Sequence, residues 1–486
     1  MGIRTGAQYR EGLRDGRTVY VNGDVVSDVT EYPAFKGIIT TMAGLYDAQH
    51  DERYLDVLSY VSATTGERVS TTLMPARTAE EMNARLRCEY LRTDLTYGLM
   101  GRIPDFVNAF VLDSAESLAY MGKHEAAAKV REYLEFLRAN DLATTHALID
   151  PQSDRSKPDA PQEALQIVHE TPEGITVRGA RMLSTLAPVA EEIVVGPFVP
   201  RRPGEEKFAL VFAIPANTPG LKIVCREPYD TGSGEFDQPL TSRFEEGDAI
   251  LIFDDVFVPR DRVFVGGDLD AYNGLLPNFP GYTGLQSAVR GTAKLRFLTG
   301  LAGVVAQANG RTKSPRHQEE IGELVGYVGV AEGLLQGAAL DCARQIQARE
   351  RRQAGETLTP QPGEPLQDTP IGLSATMVFF PHVLARAVDV VRMVAGSGVI
   401  AMTEKDFNNP ELTGLLERFM HGPDFPAERR LQVMRMAWDA TGGQFGSRQA
   451  LYERLYSGDP VGNRLRFFGM PKRSECEDLV LRLLTS

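Results

Sequence analysis

The alternation of apolar and polar positions divides the chain into stretches of different period. Residues 1–30 are polar and mixed in charge, and within them Val19 to Val26, VYVNGDVV, reads as a short hairpin turning at Asn22-Gly23 on an N-terminal arm. From Phe35 to about Ala139 apolar residues recur three and four apart, as in Ala79 to Leu91 and Glu125 to Leu137, which predicts helices. Inside this stretch Gly101 and Pro104 break the pattern around Arg102, and Asp105 stands where it would cap a new helix. Between about Asp159 and Phe264 β-branched and aromatic runs take over: Ile175 to Met182, Glu192 to Val195, Lys207 to Ile214, Leu221 to Cys225 and Ala249 to Val258. Their spacing, with Gly/Pro turns between, predicts a compact antiparallel sheet or barrel rather than a βαβ unit.

After a Gly/Pro/Asn-rich loop from Ala271 to Gly284 the helical period returns. Ile321, Leu324, Val325, Val328, Ala331, Leu335, Ala338 and Cys342 form the core stripe of a bundle helix. Gln353 to Thr369 reads as a surface loop, and Pro381 to Val394 as the start of a long helix that Gly396-Ser397-Gly398 ends. A Met- and Arg-rich helix then runs to Trp438. The fold class predicted is α+β in three domains: a mainly helical domain over 1–150, a central antiparallel β domain over 151–270, and a C-terminal helical bundle with a tail over 271–486.

Length supports this division, since 486 residues exceed what one hydrophobic core normally holds together. With 43% hydrophobic and 24% charged residues the chain reads as a soluble globular protein. Its 52 basic and 65 acidic residues give a net charge of −13, which opposes binding to nucleic acid or to an anionic membrane surface. Cys88, Cys225, Cys342 and Cys476 lie far apart, so neither a disulfide framework nor a metal site is predicted. No apolar run approaches about 18 residues and the opening residues carry no signal-peptide core, so a cytoplasmic location is expected. No GxGxxG follows a strand and no GxxxxGK[ST] occurs, which excludes a Rossmann dinucleotide motif and a P-loop.

The densest chemistry lies in Ala143–Arg155, ATTHALIDPQSDR, where His146 sits beside two threonines and Gln152, Ser153, Asp154 and Arg155 offer donors and acceptors at successive positions. Such a stretch is either a polar connection between domains or a loop whose groups a ligand satisfies. Arg102, held at its helix break, is either a fixed fork of donors aimed into a cleft or the partner of a surface carboxylate. Thr441 to Arg448, TGGQFGSR, is either an anion cradle or an ordinary junction between helices.

These motifs resemble, nearly end to end, the oxygenase components of the 4-hydroxyphenylacetate 3-monooxygenase family, two-component phenol hydroxylases that use reduced flavin. The likeness rests on RTGAQYREGLR, FKGIITTMAGLYDAQHD, GLMGRIPDF, DLATTHALIDPQSDR, VRGARMLST, TPGLKIVCRE, IFDDVFVPRDRVF, the GSGVIAMTEKDF run and FGSRQALYERLYSGDP. The resemblance implies an acyl-CoA dehydrogenase-like fold, FAD delivered as FADH2 by a separate flavin reductase, O2 as co-substrate, a small aromatic substrate and a homotetramer. It implies hydroxylation ortho to a phenolic oxygen by way of a flavin C4a-hydroperoxide, with Arg102 and His146 on that oxygen. It assigns flavin contacts to His146, Ala147, Leu148, Gln152, Ser153, Asp154, Arg155 and Thr185, and to Phe445, Gly446, Ser447 and Arg448 of a neighbouring subunit.

Two departures stand out. The family's aromatic hydroxyl four residues after the arginine is replaced by Phe106, and its carboxylate-binding hydroxyl pair by Pro197, Phe198 and Val199. An unpaired carboxylate facing Phe198 and Val199 loses roughly 1–3 kcal/mol, so a phenol bulkier or more apolar than 4-hydroxyphenylacetate is expected. Arg201 and Arg202 read as a substitute anion anchor or as part of a solvated loop. The related 4-hydroxybutyryl-CoA dehydratases need cluster-ligating cysteines, but Leu99 and Ile103 flank Arg102 and Leu285 to Thr299 holds neither Cys nor His. A dehalogenating or denitrating monooxygenase is the alternative on this scaffold.

Overall fold

A computed structural model of the chain describes residues 2–152, 154, 156, 163–357, 371–456 and 458–485. The Asn22-Gly23 turn forms as expected, with both residues at positive φ, 52° and 90°, the geometry that joins two right-twisted strands tightly. In chain order the strands are β1 (Val19–Val21), β2 (Asp24–Val26), β3 (Ser59–Val61), β4 (Arg68–Ser70), β5 (Thr144–Ala147), β6 (Gln166–Thr171), β7 (Gly174–Thr185), β8 (Glu192–Val195), β9 (Leu210–Pro215), β10 (Leu221–Cys225), β11 (Asp248–Pro259) and β12 (Val263–Gly266). They build a six-stranded sheet ordered β2-β1-β10-β11-β7-β6, a four-stranded sheet ordered β12-β9-β8-β5, and the β3-β4 hairpin. The first two sheets meet through Phe212 of β9 and Phe253 of β11, both fully buried, with ring centroids 6.2 Å apart.

Two expectations change here. The N-terminal segment is no loose arm, because Val19 and Val21 are buried and β1 pairs in parallel with β10. The sheets are also not wholly antiparallel: β5 runs parallel to β8, with His146 opposite Val194. Both pairings join strands far apart in sequence, which local alternation does not report.

The helices that frame the sheets begin on recognisable signals. Ala79–Leu95 starts from a Thr78/Glu81 capping box. Pro104–Tyr120 has Pro104 in its first position and Ile103 as its N-cap. Asp105 is therefore not the cap; it lies in the first turn and both its oxygens accept from Arg92 Nε, at 2.7 and 2.8 Å. Pro381 lies inside the helix Ile371–Ala395 rather than at its start, and Gly396 at φ 56° ends it. Most of the expected loop from Gln353 to Thr369 lies outside the described residues.

The chain divides into two compact units, Met1–Ala293 with Ala338–Pro370, and Lys294–Gly337 with Ile371–Ser486. The sheets and the helices up to Asn140 belong to the first. Among the described residues no helix is long and apolar enough to cross a membrane, and no group of His, Cys, Asp or Glu is placed to hold a metal ion.

Candidate active site

The break at Gly101-Arg102 is held by one carboxylate. Buried Glu246 accepts from the backbone N–H of both Gly101 and Arg102 through Oε1, at 2.7 and 2.9 Å. This charge-assisted pair fixes the segment just before Pro104–Tyr120, and Arg102 itself is buried rather than paired on the surface. Its guanidinium carbon lies 3.8 Å from the centroid of Phe106, a cation–π contact worth about 1–2 kcal/mol at a desolvated site.

His146 approaches the same ring from β5. The His146 and Phe106 ring centroids are 5.6 Å apart at 69°, edge to face. The histidine is only 6% exposed, and neither Nδ1 nor Nε2 has a hydrogen-bond partner. Burial first, and then the positive charge of Arg102, push its imidazole well below its ordinary pKa. At neutral pH it is an uncharged ring with a lone pair available. Its backbone is firmly held, since Ser184 Oγ on β7 donates to His146 O and Thr145 Oγ1 donates to Thr185 O. Thr185 Oγ1 in turn donates to Asp248 Oδ1 at 2.8 Å.

The remaining expected positions are spread more widely. Ala147 and Leu148 are buried beside His146, while Gln152 and Asp154 are exposed. Asp154 Oδ1 accepts from Ser156 N and Oγ at 3.0 and 2.6 Å, and Ser153 and Arg155 lie outside the described residues. Phe198 and Val199 are 42% and 51% exposed. Phe445, Gly446, Ser447 and Arg448 belong to the second unit and form the first turn of the helix Gln444–Leu455. There Phe445 and Gly446 are buried, and Arg448 sits 4.3 Å from the Tyr452 ring.

Sequence reasoning missed the charged groups behind this site. Glu246 carries no local signal, because its role depends on a backbone 144 residues away. Arg181 does carry one. Ile175, Val177 and Arg181 fall on alternate positions of β7 and all are buried, so a charge occupies an inward-facing position. Its partner is Asp150, which also receives Arg201 Nη2 at 2.6 Å. Arg201 is thus buried, while Arg202 is exposed.

Two family models cover this arrangement: 4-hydroxyphenylacetate 3-hydroxylase N terminal matches residues 5–265, and its C-terminal counterpart matches residues 275–485. The chain belongs to the 4-hydroxyphenylacetate 3-hydroxylase family. The 4-hydroxyphenylacetate 3-monooxygenase oxygenase component of Thermus thermophilus is 38% identical over 474 residues, 94% of this chain and 92% of that protein. A 4-nitrophenol 2-monooxygenase oxygenase component of a Rhodococcus species is 30% identical over 467 residues, 94% of this chain and 86% of the relative. Among solved structures, the oxygenase component of 4-hydroxyphenylacetate 3-monooxygenase complexed with FAD and 4-hydroxyphenylacetate superposes with a TM-score of 0.86 at 35% identity, covering 99% of both chains. The fold is therefore acyl-CoA dehydrogenase-like, and this member of the 4-hydroxyphenylacetate 3-hydroxylase family is the oxygenase component of a two-component aromatic monooxygenase.

Proposed function

We propose that the chain hydroxylates a phenol ortho to its hydroxyl, consuming O2 and FADH2 supplied by a separate flavin reductase, and that the phenol is bulkier or more apolar than 4-hydroxyphenylacetate. One observation carries this reading: Arg102 and His146, from different elements of the fold, both approach a single ring, that of Phe106. A buried imidazole with both nitrogens unpartnered awaits a donor or acceptor from outside the chain, so the site fits a ligand. His146, Ala147, Leu148, Gln152, Asp154 and Thr185, with Ser153 and Arg155, would hold the flavin, and Phe445 to Arg448 of a second copy would complete its site. When bound, reduced flavin would supply the two electrons that activate O2, one atom of which enters the phenol while the other leaves as water.

The chain's own groups prepare the phenol. The Arg102 guanidinium stabilises negative charge developing on the phenolic oxygen, and neutral His146 accepts its proton at a ring nitrogen. Phe106 walls the site with an apolar face and offers no third hydrogen bond. At 198 and 199, where the family keeps a hydroxyl pair, the chain carries exposed Phe198 and Val199 and so offers no side-chain hydroxyl to a substrate carboxylate. Purified protein with a generic flavin reductase, NADH and a panel of phenols tests the proposal through product mass. Efficient turnover of 4-hydroxyphenylacetate with poor turnover of larger phenols would reject the substrate assignment, and nitrite or chloride release would point to denitration or dehalogenation instead. Phe106→Tyr restores one donor and is expected to raise kcat/KM for small phenols about 2- to 10-fold, the worth of one hydrogen bond.

We infer a homotetramer in the same way. Val461, Leu465 and Phe468 on the helix Pro460–Phe468, and Leu479, Val480 and Leu484 on Pro471–Thr485, are all more than half exposed. Apolar surface on this scale is normally covered by another chain. Light scattering is expected to give four times the chain mass, and deletion of residues 459–486 to give a smaller species. A monomeric full-length protein in solution would refute the assembly.

A further inference from the structure

Behind the site, where the helix Thr241–Phe244 passes into β11, the chain reads Glu245-Glu246-Gly247-Asp248. Each of the three carboxylates is committed to a different neighbour. Glu246 Oε1 holds the backbone N–H groups of Gly101 and Arg102. Glu245 Oε1 accepts from Arg226 Nη1 at 2.6 Å, and its Oε2 accepts from Tyr229 N and Asp230 N, both at 2.7 Å. Asp248 Oδ1 accepts from Thr185 Oγ1 at 2.8 Å, and its Oδ2 from Arg226 Nε at 3.1 Å. Gly247, at φ 59°, turns the chain, and Leu186 N donates to Glu246 O and Gly247 O at 3.2 and 3.0 Å. Four residues thus brace both the break at Arg102 and the end of β7, while one guanidinium, that of Arg226, serves two carboxylates.

Asp248 is tied to His146 through β7. It is the ladder partner of Thr185. Thr145 Oγ1 donates to Thr185 O and Ser184 Oγ donates to His146 O, so β5 lies against the same residues that Asp248 pairs with. Two strand spacings are about 10 Å, and at an effective dielectric of about 20 a full charge at that range alters a proton affinity roughly tenfold. The influences on the ring oppose one another: burial first and then Arg102 disfavour its protonated form, and Asp248 favours it. The other acids of the neighbouring segments have partners of their own. Asp150, beyond β5 on the same segment, lies against Arg181 and Arg201, and Glu192 on β8 against Tyr133 and Arg262. A phenol that yields its proton to His146 leaves an imidazolium beside the Arg102 guanidinium, two cations in a buried site, and Asp248 is the acid placed to offset them.

We propose that Asp248, held by Thr185 and Arg226, is a positioning residue of the hydroxylation: its carboxylate offsets the positive charge that gathers when buried His146 takes the phenolic proton beside Arg102. The phenol O–H bond breaks, its electron pair stays on the oxygen facing Arg102, and the proton forms an N–H bond on the ring. Asp248 acts through His146 rather than on the phenol itself, and Arg226 sets how much of its charge reaches the ring. This rests on the reading of Arg102 and His146 as the phenol site and deepens it.

The test follows the pH profile of kcat in Asp248→Asn, Asp248→Glu and Arg226→Met, each in wild type and in Arg102→Met, where the acid limb lies at higher pH. His146 is titrated separately by NMR of isotope-labelled histidine, its signal assigned by its absence in His146→Gln, and folding is followed by thermal melt. Asp248→Asn is expected to lower kcat about 3- to 10-fold with KM little changed, because a weaker base takes the proton less readily. It also moves the acid limb and the His146 titration to lower pH, by roughly half to one unit. Arg226→Met leaves the Asp248 charge undivided and moves both to higher pH, and Asp248→Glu keeps them in place. Damage to the fold would not move the two variants in opposite directions. A lower melting temperature with limb and titration unmoved, or movement in the same direction in Asp248→Asn and Arg226→Met, makes the acid a structural partner only and overturns the proposal. If the His146 titration moves as expected while His146→Gln hydroxylates at the wild-type rate, the phenol-site reading falls and only the coupling of Asp248 to His146 stands.

Discussion

Replacing Arg102 with methionine is expected to lower kcat about 10²- to 10³-fold, and replacing His146 with alanine about 10²- to 10⁴-fold, with KM changing much less. On the proposed mechanism both groups act on charge that appears only as the phenol loses its proton, so their loss would be felt in the transition state more than in binding. The double variant should fall little below the worse single one if, as proposed, the two serve one oxygen, because such effects do not add. The pH profile separates the roles. His146 is held neutral by burial and then by Arg102, so activity is expected to persist as pH falls through about 6.5, the ordinary histidine value. In Arg102→Met one of these two causes disappears, and the acid limb of the profile moves to higher pH. The same depressed value sets a stability slope: below about 6.5 the unfolded chain binds a proton that the folded chain refuses, so stability declines as pH falls. His146→Gln should flatten that slope. Unchanged rates in both single variants, or an acid limb that stays put in Arg102→Met, would remove the pair from the chemistry.

What the sequence made legible was local. The Asn22-Gly23 hairpin, the helix break at Gly101 to Pro104 and the crowded polar stretch after His146 each announce themselves in a few residues. Distant partners were not legible. That β5 lies parallel to β8, that β1 joins β10, and that Glu246 anchors the Arg102 backbone all depend on residues brought together by the whole fold. Arg201 shows the difference sharply, since a Gly/Pro-bearing segment reads as solvated loop, yet Asp150 and Asn273 draw this arginine inside. Pro381 misled for a simpler reason: proline favours a helix's first turn, but here it occupies the interior of Ile371–Ala395.

The largest loss of stability is expected from Asp105→Ala. Asp105 and Arg92 are both buried, and the Arg92 Nε–H shared by both Asp105 oxygens joins the first turn of Pro104–Tyr120 to the end of Ala79–Leu95. Removing the carboxylate leaves the Arg92 guanidinium in the core without its counter-charge, at a cost of roughly 3–5 kcal/mol. That penalty belongs to the stranded charge rather than to the bond, so Arg92→Met/Asp105→Leu, which removes both charges and keeps the volume, should recover most of the lost melting temperature. Asp105 also sits between Pro104 and Phe106, so its alanine variant loosens the helix start that carries the Phe106 ring beside Arg102 and His146. Asp105→Ala is therefore expected to lose activity below its melting temperature as well, whereas the double variant keeps it. If the double variant melts as low as Asp105→Ala, the stranded-charge explanation is wrong and the ion pair itself holds the two helices together.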